Sequence, residues 1–242
     1  MLSNCYIISD LHLSEHRPEM VALFSRFLEE ITLPGHTLYI LGDFFDYWIG
    51  DDDLTDFHRS VISLLDHAVK NGLKIYFMHG NRDFLIGQQF AKQSGATLIP
   101  DPLVLNNGQQ QILLMHGDLL CTDDKSYQLF RKVVRNSFVK ALYLSLPLSL
   151  RRKIAKMIRQ KSQQKNKHIK TIDVTAEGIN RYIKDYPILI HGHTHLFNCH
   201  RAKHYTRYVL GDWHSSGSFI KIHDNTISLE KYNATRNVDR FM

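Results

Sequence analysis

The chain has 242 residues, of which 43% are hydrophobic and 22% are charged. It is therefore long and apolar enough to bury the core of one sizeable domain, and its composition argues against a disordered chain. Its three cysteines lie far apart and form no CxxC pair, which argues against a disulfide framework or a structural zinc site and is typical of a reducing cytosol. No signal-peptide pattern and no apolar run near 18 residues is present, so we expect a protein kept inside the cell.

The net charge of +6 comes from one segment. Of the 30 Lys and Arg residues, 13 lie from Arg131 to Lys170, where there is no Asp or Glu. The rest of the chain has 17 basic and 24 acidic residues, a net charge of −7. Such a segment predicts an anionic partner: a phosphate-bearing substrate, a membrane surface or nucleic acid. The alternative is a solvated basic face, which is the more common role of any single Lys or Arg.

Short apolar runs bounded by glycines or polar turns predict buried strands. In chain order these runs are Tyr6–Ser9, Thr37–Leu41, Lys74–Met78, Gln111–Met115 and Ile188–Ile190, with helical periodicity between them at about Met20–Glu30, Phe57–Asn71 and Phe84–Ser94. Alternating strands and helices predict an α/β layered fold. Three later runs, Tyr208–Leu210, Ser218–His223 and Thr226–Lys231, are predicted to be strands that close a sheet.

The segment from about residue 126 to residue 174 breaks this alternation. Its periodicity is helical, with an interruption at Pro147, and it combines basic residues with the apolar Phe130, Val134, Phe138, Leu142 and Leu146. We interpret it as a helical insertion that forms a cap over a site within a single domain spanning 1–242. The alternative is a helical hairpin with an ordinary solvated face.

Five polar motifs follow predicted strands. They are Asp10-Leu11-His12, Gly42-Asp43, Gly80-Asn81-Arg82-Asp83, His116-Gly117-Asp118 and His191-Gly192-His193-Thr194-His195. Ligands bind beyond the carboxyl ends of strands in open α/β sheets, so we expect these motifs to converge. Each motif alone is weak, since Asp-x-His is commonly a capping pair and Gly-Asp a turn. All five in order form a specific signature.

The residue types in the motifs suit a pair of divalent metal ions. Asp10, His12 and His195 would hold one ion, and Asn81, His116 and His193 the other. Asp43 would bridge them, because a carboxylate has two oxygens to share between two cations. Ions roughly 3.5–4 Å apart can clamp a phosphate and lower the pKa of a water. A mixture of carboxylate, amide and imidazole ligands without thiolate favours Mn²⁺, Fe²⁺ or Zn²⁺ over Ca²⁺.

Other histidines in the chain need no catalytic role. His191 is expected to support the loop that carries His193 and His195. The rest are expected at the surface or in the core: His58, His67, His168, His200, His204 and His214.

The order and types of these residues resemble the calcineurin-like metallophosphoesterase superfamily. The resemblance implies a four-layer sandwich of two mixed β-sheets flanked by helices. It extends over almost the whole chain to the UDP-2,3-diacylglucosamine hydrolase family of lipid A biosynthesis. Its supporting stretches are Tyr39–Asp43, Trp48–Asp53, His79–Leu85, Met115–Asp118, Cys121–Asp124 with Tyr127, and Leu210–His214.

That resemblance implies water attack on the α-phosphorus of UDP-2,3-diacylglucosamine, which releases UMP and 2,3-diacylglucosamine 1-phosphate (lipid X). It implies two divalent ions, with Mn²⁺ preferred, and peripheral association with the cytoplasmic side of the inner membrane. The implied catalytic residues are Asp43, Asn81, Arg82 and His116. The implied substrate contacts are Asn81, Arg82, Asp124, Tyr127, Arg159, Ser162, Asn166, Lys167 and His193. The spacing leaves Lys165 and Lys170 as alternatives to Lys167.

One departure from the wider superfamily is Arg82. Many members place a histidine after the Gly-Asn pair, where it can protonate an alkoxide leaving group. Arginine cannot act as an acid near neutral pH, but its fork suits phosphate oxygens. Because a phosphate leaving group needs little protonation, Arg82 favours pyrophosphate cleavage. The two rival hypotheses are a nuclease or cyclic-nucleotide phosphodiesterase on the same metals, and a non-enzymatic binding module, against which the seven candidate ligands argue.

Overall fold

The computed structural model of the chain describes residues 4–108, 110–166, 173–224, 226–233 and 240–241, with backbone alone at 161–166 and 240–241. The elements in these ranges are β1 (Cys5–Ile8), α1 (Pro18–Ile31), β2 (Thr37–Ile40), α2 (Asp56–Lys70), β3 (Lys74–Met78), α3 (Gln88–Ser94), β4 (Thr97–Ile99), β5 (Leu103–Asn106), β6 (Gln111–Met115), a short 3-10 helix (Asp118–Leu120), α4 (Lys125–Val134), α5 (Ser137–Leu144), α6 (Leu148–Asn166), α7 (Ala176–Ile183), β7 (Ile188–His191), β8 (Asn198–Arg201), β9 (Thr206–Val209), β10 (Gly217–His223), β11 (Thr226–Tyr232) and β12 (Arg240–Phe241).

The strands form two mixed sheets. The first has the order β12-β11-β10-β1-β2-β3-β4, and the second has the order β5-β6-β7-β9-β8. In the first sheet β1 to β4 are parallel, with Ile7 opposite Tyr39 and Tyr39 opposite Tyr76, whereas β10 is antiparallel to β1. In the second sheet β6, β7 and β9 are parallel, and β5 and β8 are antiparallel edges.

Side chains alternate between the faces of each strand, and both faces are buried. Ile7 packs between the two sheets, whereas Ile8 packs with the helices α1 to α3. In the second sheet Leu114 faces the first sheet, and Leu113 packs with Ile179 of α7. The layers are therefore helices, sheet, sheet and helix, as the resemblance implied. Burial on both faces is why these strands read as continuous apolar runs rather than alternating ones.

Helix α1 illustrates how the sequence encodes an outer layer. Pro18 occupies its first turn, where the missing N–H costs no hydrogen bond. Its buried side chains recur at helical spacing: Met20, Leu23, Phe24, Phe27, Leu28 and Ile31. Phe24 and Phe27 pack edge-on against Trp213, which lies just before β10. This aromatic contact attaches the helix to the last strands of the chain.

The helix predicted at Phe84–Ser94 starts later, at Gln88. The reason is a tertiary cap: Asp51, from the loop after β2, accepts hydrogen bonds from the N–H groups of Gly87 (2.9 Å) and Phe90 (3.0 Å). These bonds fix the start of α3, and the preceding residues form a turn. No local pattern in the sequence identifies that distant carboxylate.

The tail strands do not close one sheet as predicted. β9 lies inside the second sheet, whereas β10 and β11 belong to the first, so the chain crosses between sheets after β9. The short strands β4, β5 and β8 and the helix α7 were not predicted, because elements of three to eight residues carry little periodicity.

The basic segment forms three helices, and the predicted interruption at Pro147 is confirmed between α5 and α6. A second break was missed: Asn136 caps α5 by accepting hydrogen bonds from the N–H groups of Phe138 (3.0 Å) and Val139 (3.3 Å). The predicted helical segment extends to residue 174, but 167–172 lie outside the described residues and 173–175 are not helical.

Candidate metal centre

The five predicted motifs lie in loops that follow the carboxyl ends of strands. β1, β2 and β3 are parallel neighbours in one sheet, and β6 and β7 are parallel neighbours in the other. Parallel neighbours end at the same edge, so the loops of each sheet meet there. Contacts also join the two sheets: the N–H of His193 donates to Asp10 Oδ2 (2.8 Å), and His193 Nδ1 lies 2.9 Å from Asn81 Oδ1. The predicted convergence is confirmed.

Asp10, His12 and His195 form one group, whose ligand atoms lie within 4.8 Å of one another. His12 Nε2 and His195 Nε2 are 3.3 Å apart, and Asp10 Oδ1 is 3.4 Å from His195 Nε2. Within the described part of the chain, Asp10 Oδ1 and His12 Nδ1 are buried and make no hydrogen bond. Buried polar atoms left in this way are costly unless a cation or a proton satisfies them.

A second group lies beside the first and contains Asp43, His116 and His193, again within 4.8 Å. Asn81 joins it, because its Oδ1 is 3.0 Å from His116 Nε2 and 2.9 Å from His193 Nδ1. Nδ1 of His116 donates to the Leu41 carbonyl (2.8 Å), so in the neutral ring, which is the form that binds a metal, Nε2 is an acceptor facing the centre. Several acceptors turned towards one point are the arrangement that a metal ion satisfies.

Neighbouring groups hold the ligand candidates in place. Ser9 Oγ donates to Asp10 Oδ2 (2.5 Å). His191 donates from Nδ1 to the Gly192 carbonyl (2.8 Å), and its Nε2 accepts from the buried Arg207 (3.2 Å). Both nitrogens of His191 are thereby used inside the loop, which agrees with the supporting role expected for it. A Cβ at Gly192 would lie 2.1 Å from Asp10 Oδ2, so only glycine permits this approach.

The backbone of the centre is strained. Seven described non-glycine residues have positive φ, and five of them are predicted ligands: Asp10 (57°), His12 (47°), Asp43 (50°), His193 (67°) and His195 (60°). Left-handed backbone at such residues costs about 1–3 kcal/mol each. The hydrogen bonds from the N–H of Asp10 to the Gly42 carbonyl (3.1 Å) and from that of His12 to the Asp43 carbonyl (3.0 Å) stabilise these turns. The strain aims several side chains at one point.

The electrostatics of the centre favour bound positive charge. Burial lowers the pKa of His12 to about 4 and also lowers the pKa of His193, so both rings are neutral, ligand-competent imidazoles near pH 7. Burial would raise the pKa of Asp10, but the nearby histidines, with His195 foremost, outweigh it and lower that pKa. Burial would lower the pKa of His116, but the carboxylates around it, Asp43 foremost, raise it to about 9. A bound metal ion would supply this positive charge in place of a proton.

Arg82 lies at the edge of the centre. Its backbone N–H donates to Asp43 Oδ1 (2.9 Å), and its Nε is 3.6 Å from Asp43 Oδ2. Its Nη1 donates to Asp46 Oδ1 at 2.7 Å. The side chain is 38% exposed, so the guanidinium is open to a ligand from solvent. The fork therefore stands beside the carboxylate that was predicted to bridge two ions.

Comparison with known proteins agrees with this geometry. The UDP-2,3-diacylglucosamine hydrolase of Proteus mirabilis (strain HI4320) is 47% identical to this chain over 234 residues, which cover 93% of this chain and 97% of that protein. That of Histophilus somni (strain 2336) is 42% identical over 229 residues, covering 93% and 98%. The sequence model of the calcineurin-like phosphoesterase family matches residues 4–197. The chain belongs to the calcineurin-like phosphoesterases, in the UDP-2,3-diacylglucosamine hydrolase family.

A solved structure supports the fold of this phosphoesterase. Vacuolar protein sorting 29 from Cryptosporidium parvum superposes with a TM-score of 0.51 at 15% identity, covering 98% of this chain and 95% of that one. A likeness at this identity shows the shared sandwich of two sheets and nothing about chemistry.

Two other predicted substrate contacts lie where α4 begins. Asp124 is the N-cap of α4, accepting from the N–H of Tyr127 at 3.1 Å. The Tyr127 ring stacks on His193 with centroids 6.1 Å apart, and its hydroxyl donates to the buried Asp118 at 2.6 Å. Arg131 donates to the same carboxylate at 2.7 Å. The phosphoesterase thus places the start of its insertion against the second ligand group.

The remaining predicted contacts lie in or after α6. Arg159 reaches Asp46 on the core. Ser162 and Asn166, and the alternative Lys165, are in the backbone-only part of this helix. Lys167 and its alternative Lys170 lie outside the described residues, as does His168.

Much of the basic segment joins the insertion to the core of the phosphoesterase. Among the side chains that the structure describes in this segment, six cationic ones bind core groups: Arg131 (Asp118 and Asp101), Arg135 (the Gly80 carbonyl), Lys140 (the Phe84 carbonyl), Arg151 (Asp52 and the Ile49 carbonyl), Arg152 (Asp53) and Arg159 (Asp46). Neither a purely solvated face nor a purely ligand-binding one describes this segment. Several large apolar side chains of the insertion are exposed, including Leu129, Phe138, Leu142 and Met157. None of the described helices is long and apolar enough to cross a membrane.

Two acidic residues that bind side chains around this site had no role predicted from the sequence. Asp118 was recognised as part of a motif, and it holds both Tyr127 and Arg131. Asp46 was not recognised, although it binds two of the predicted substrate-contacting arginines. The only local hint in the sequence is that Asp46 lies three residues after the predicted ligand Asp43, and this spacing matches no known motif. Only the folded chain brings its partners to it.

Proposed function

We propose that this protein hydrolyses the pyrophosphate bond of UDP-2,3-diacylglucosamine, with two divalent metal ions, physiologically Mn²⁺. Water attacks the α-phosphorus, the bond between that phosphorus and the bridging oxygen breaks, and one proton is released. The products are UMP and 2,3-diacylglucosamine 1-phosphate.

The observation that carries this proposal is the position of Arg82. A cationic fork that cannot act as an acid stands 3.6 Å from Asp43, at the edge of two groups of candidate metal ligands. A centre built in this way suits a leaving group that departs as a phosphate, because such a group needs no proton donor. A relative that is 47% identical is named for the same substrate.

In this proposal Asp10, His12 and His195 hold one ion, while Asn81, His116 and His193 hold the other. Asp43 would bridge them: its carboxylate lies 3.8 Å from His116 of the second group, and the hydrogen bond from the N–H of His12 to its backbone carbonyl places it beside the first group. When bound, such ions lower the pKa of an attacking water and neutralise charge on the phosphoryl group. The neutral rings of His12 and His193 and the ionised Asp10 suit ligation without prior proton loss near pH 7. By contrast His116 and His195, whose pKa values burial would lower but the nearby carboxylates raise, would release a proton when a metal binds.

The other residues bind and orient the substrate. Arg82 takes the phosphate oxygens through its fork. Tyr127 supports His193 by stacking on its ring, and Asp118 fixes the Tyr127 hydroxyl. The remaining substrate contacts that we propose are Asp124, Arg159, Ser162, Asn166 and Lys167.

The insertion acts in this proposal as a cap for the acyl chains and as a contact with the inner membrane from the cytoplasmic side. No residue of α4 or α5 is buried, and apolar Phe138 (76% exposed) and Leu142 (58% exposed) face solvent. Exposed lysines also lie on the insertion, including Lys132 of α4 and Lys153 of α6, and in this proposal they meet anionic headgroups. An apolar surface this exposed is typical of an interaction site.

The test is UMP release from UDP-2,3-diacylglucosamine in detergent micelles, with and without Mn²⁺. We expect metal-dependent release that chelation abolishes and Mn²⁺ restores. Bis-p-nitrophenyl phosphate and single-stranded DNA serve as competing substrates at equal concentration. Faster cleavage of DNA than of the UDP-lipid would instead identify a nuclease.

The membrane part is tested separately by sedimentation with vesicles containing anionic phospholipid. We expect binding that falls when Phe138 and Leu142 are both replaced by Ser. Binding that persists unchanged in this variant would contradict the proposed contact surface.

A further inference from the structure

One carboxylate connects the core to the insertion next to the metal centre. Asp46 Oδ1 accepts from Nη1 of Arg82 at 2.7 Å, and Asp46 Oδ2 accepts from Nη2 of Arg159. Arg82 belongs to the loop after β3, whereas Arg159 belongs to α6, 113 positions from Asp46 in sequence. The two oxygens of one side chain therefore hold two guanidinium groups that come from different parts of the fold.

Asp46 is itself firmly placed. Its N–H donates to the Leu13 carbonyl (3.0 Å), and the adjacent Phe45 forms a β-bridge with Leu13. Its side chain is only 13% exposed. Leu13 directly follows His12, so the backbone of Asp46 is fixed relative to the first ligand group.

Both arginines are in turn oriented by further contacts. The Nε of Arg82 faces Asp43 at 3.6 Å, so this guanidinium spans the interval between the metal centre and Asp46. The Arg159 guanidinium lies over the ring of Tyr47, with its carbon 5.6 Å from the ring centroid. A guanidinium has five N–H donors, and contacts through one or two of them leave an edge of the fork for another anion.

We propose that Asp46 is a positioning residue, which gathers Arg82 and Arg159 into one diphosphate-binding pair at the edge of the metal centre. This inference rests on the proposed function, since it assigns the pair to the substrate's two phosphates. One carboxylate between two guanidinium groups leaves a net charge of +1, so the trio still attracts an anion. Without Asp46 the two cations would repel each other, and Arg159 would lose its link to the core.

The competing explanation is a purely structural ion pair between α6 and the core. The chain offers a matched control for it in Asp53, from the same loop, which accepts from Nε of Arg152 at 3.1 Å. That pair also joins α6 to the core, but it contacts neither Arg82 nor Arg159. A structural role predicts similar effects of Asp46→Asn and Asp53→Asn, whereas a positioning role predicts effects on phosphate binding from Asp46→Asn alone.

The experiment compares kcat and KM for UMP release among the parent, Asp46→Asn, Asp46→Glu and Asp53→Asn. We expect Asp46→Asn to raise KM about tenfold, Asp53→Asn to change it less than about twofold, and Asp46→Glu to recover most of the loss because the charge is kept. With Arg159→Ala already present, Asp46→Asn should raise KM by less than about threefold, because one of its partners is gone.

A KM for Asp46→Asn within twofold of the parent, or equal effects of Asp46→Asn and Asp53→Asn, overturns the inference. If Asp46→Asn does not fold, Asp46→Glu is compared with the parent alone and is expected to keep a residual rise in KM of about two- to threefold, since it moves the charge by one methylene. An unchanged KM in that variant also overturns the inference.

A second measurement separates this inference from the proposed function. Inorganic pyrophosphate is tested as an inhibitor of bis-p-nitrophenyl phosphate hydrolysis at saturating Mn²⁺, in the same variants. We expect its inhibition constant to rise about tenfold in Asp46→Asn and to stay within twofold in Asp53→Asn. If the parent releases no UMP from the UDP-lipid but this pattern holds, the substrate assignment fails while the role of Asp46 stands.

Discussion

Replacement of Arg82 by histidine tests the chemistry that distinguishes this site. Histidine is the residue that many calcineurin-like phosphoesterases have at this position, where it can donate a proton to a leaving group. In this chain the Arg82 guanidinium reaches both Asp46 (2.7 Å) and the vicinity of Asp43 (3.6 Å). An imidazole is shorter and lacks the fork, so it cannot make both contacts.

The magnitude follows from the contacts that are lost. A hydrogen bond to a charged group contributes about 1.5–3 kcal/mol, and the 38% exposure of Arg82 places its phosphate contact at the low end of that range. A loss of about 2 kcal/mol corresponds to a decrease of about 30-fold in kcat/KM. Arg82→Lys, which keeps the charge but loses the fork, should fall between the parent and Arg82→His.

The assay is steady-state release of UMP from the UDP-lipid at fixed Mn²⁺. Bis-p-nitrophenyl phosphate, whose leaving group is an aryl oxide, serves as the second substrate. We expect a smaller loss on it, because it carries a single phosphate and no second one for the Arg82 fork to bind. If kcat/KM of Arg82→His on the UDP-lipid lies within threefold of the parent, the phosphate-binding role of Arg82 is wrong.

Three further predictions concern the bridge, the buried ion pair and the cap. Asp43→Ala should abolish turnover with the fold intact by circular dichroism; activity within about tenfold of the parent would contradict a two-metal centre. Arg131→Met should lower the free energy of unfolding by about 3 kcal/mol in urea titrations, because it removes the nearest cation from the buried Asp118 and leaves that carboxylate with the Tyr127 hydroxyl and with Arg135 at 3.8 Å; adding Asp118→Asn should restore part of the loss. Burial would raise the pKa of Asp118, but the cations around it lower that pKa. The ionised Asp118 therefore contributes its full stabilisation above about pH 4, and this contribution declines as the pH falls further. The decline should be missing from the pH profile of unfolding free energy of Asp118→Asn. Replacing Phe138 and Leu142 by Ser should raise KM for the diacyl substrate at least tenfold, because each acyl methylene that loses its apolar contact costs about 0.8 kcal/mol of binding free energy. KM for the chromogenic diester should stay unchanged.

The pattern of the sequence was sufficient to predict an α/β layered fold and the convergence of the five motifs, whereas the arrangement in two sheets was implied only by the family resemblance. Buried strands such as β1 and β6 are apolar on both faces, and this pattern is local. Each motif follows its strand directly, so the position of the strand determines the position of the motif. Parallel pairing then brings the motifs together, because parallel strands end at the same edge.

The path of the chain between the sheets was not predictable in this way. β9 and β10 lie in different sheets although both have the pattern of buried strands. The hydrophobic pattern of a strand shows that its faces are buried, but it does not show which element buries them. The start of α3 has the same explanation, since Asp51 caps it from 36 positions away.

The basic segment shows most clearly what only the tertiary structure decided. Its composition predicted an anionic partner, but a sequence does not show whether a given arginine meets a ligand or a carboxylate of the core. Arg151 is almost fully buried against Asp52, 99 positions away, and Arg159 meets Asp46 across 113 positions. Ion pairs depend on the distance between charges in space and carry no periodic signature along the chain. Local patterns therefore determined the candidate ligands, whereas the pairing of distant charges, and with it the role of Asp46, arose only when the insertion packed on the core.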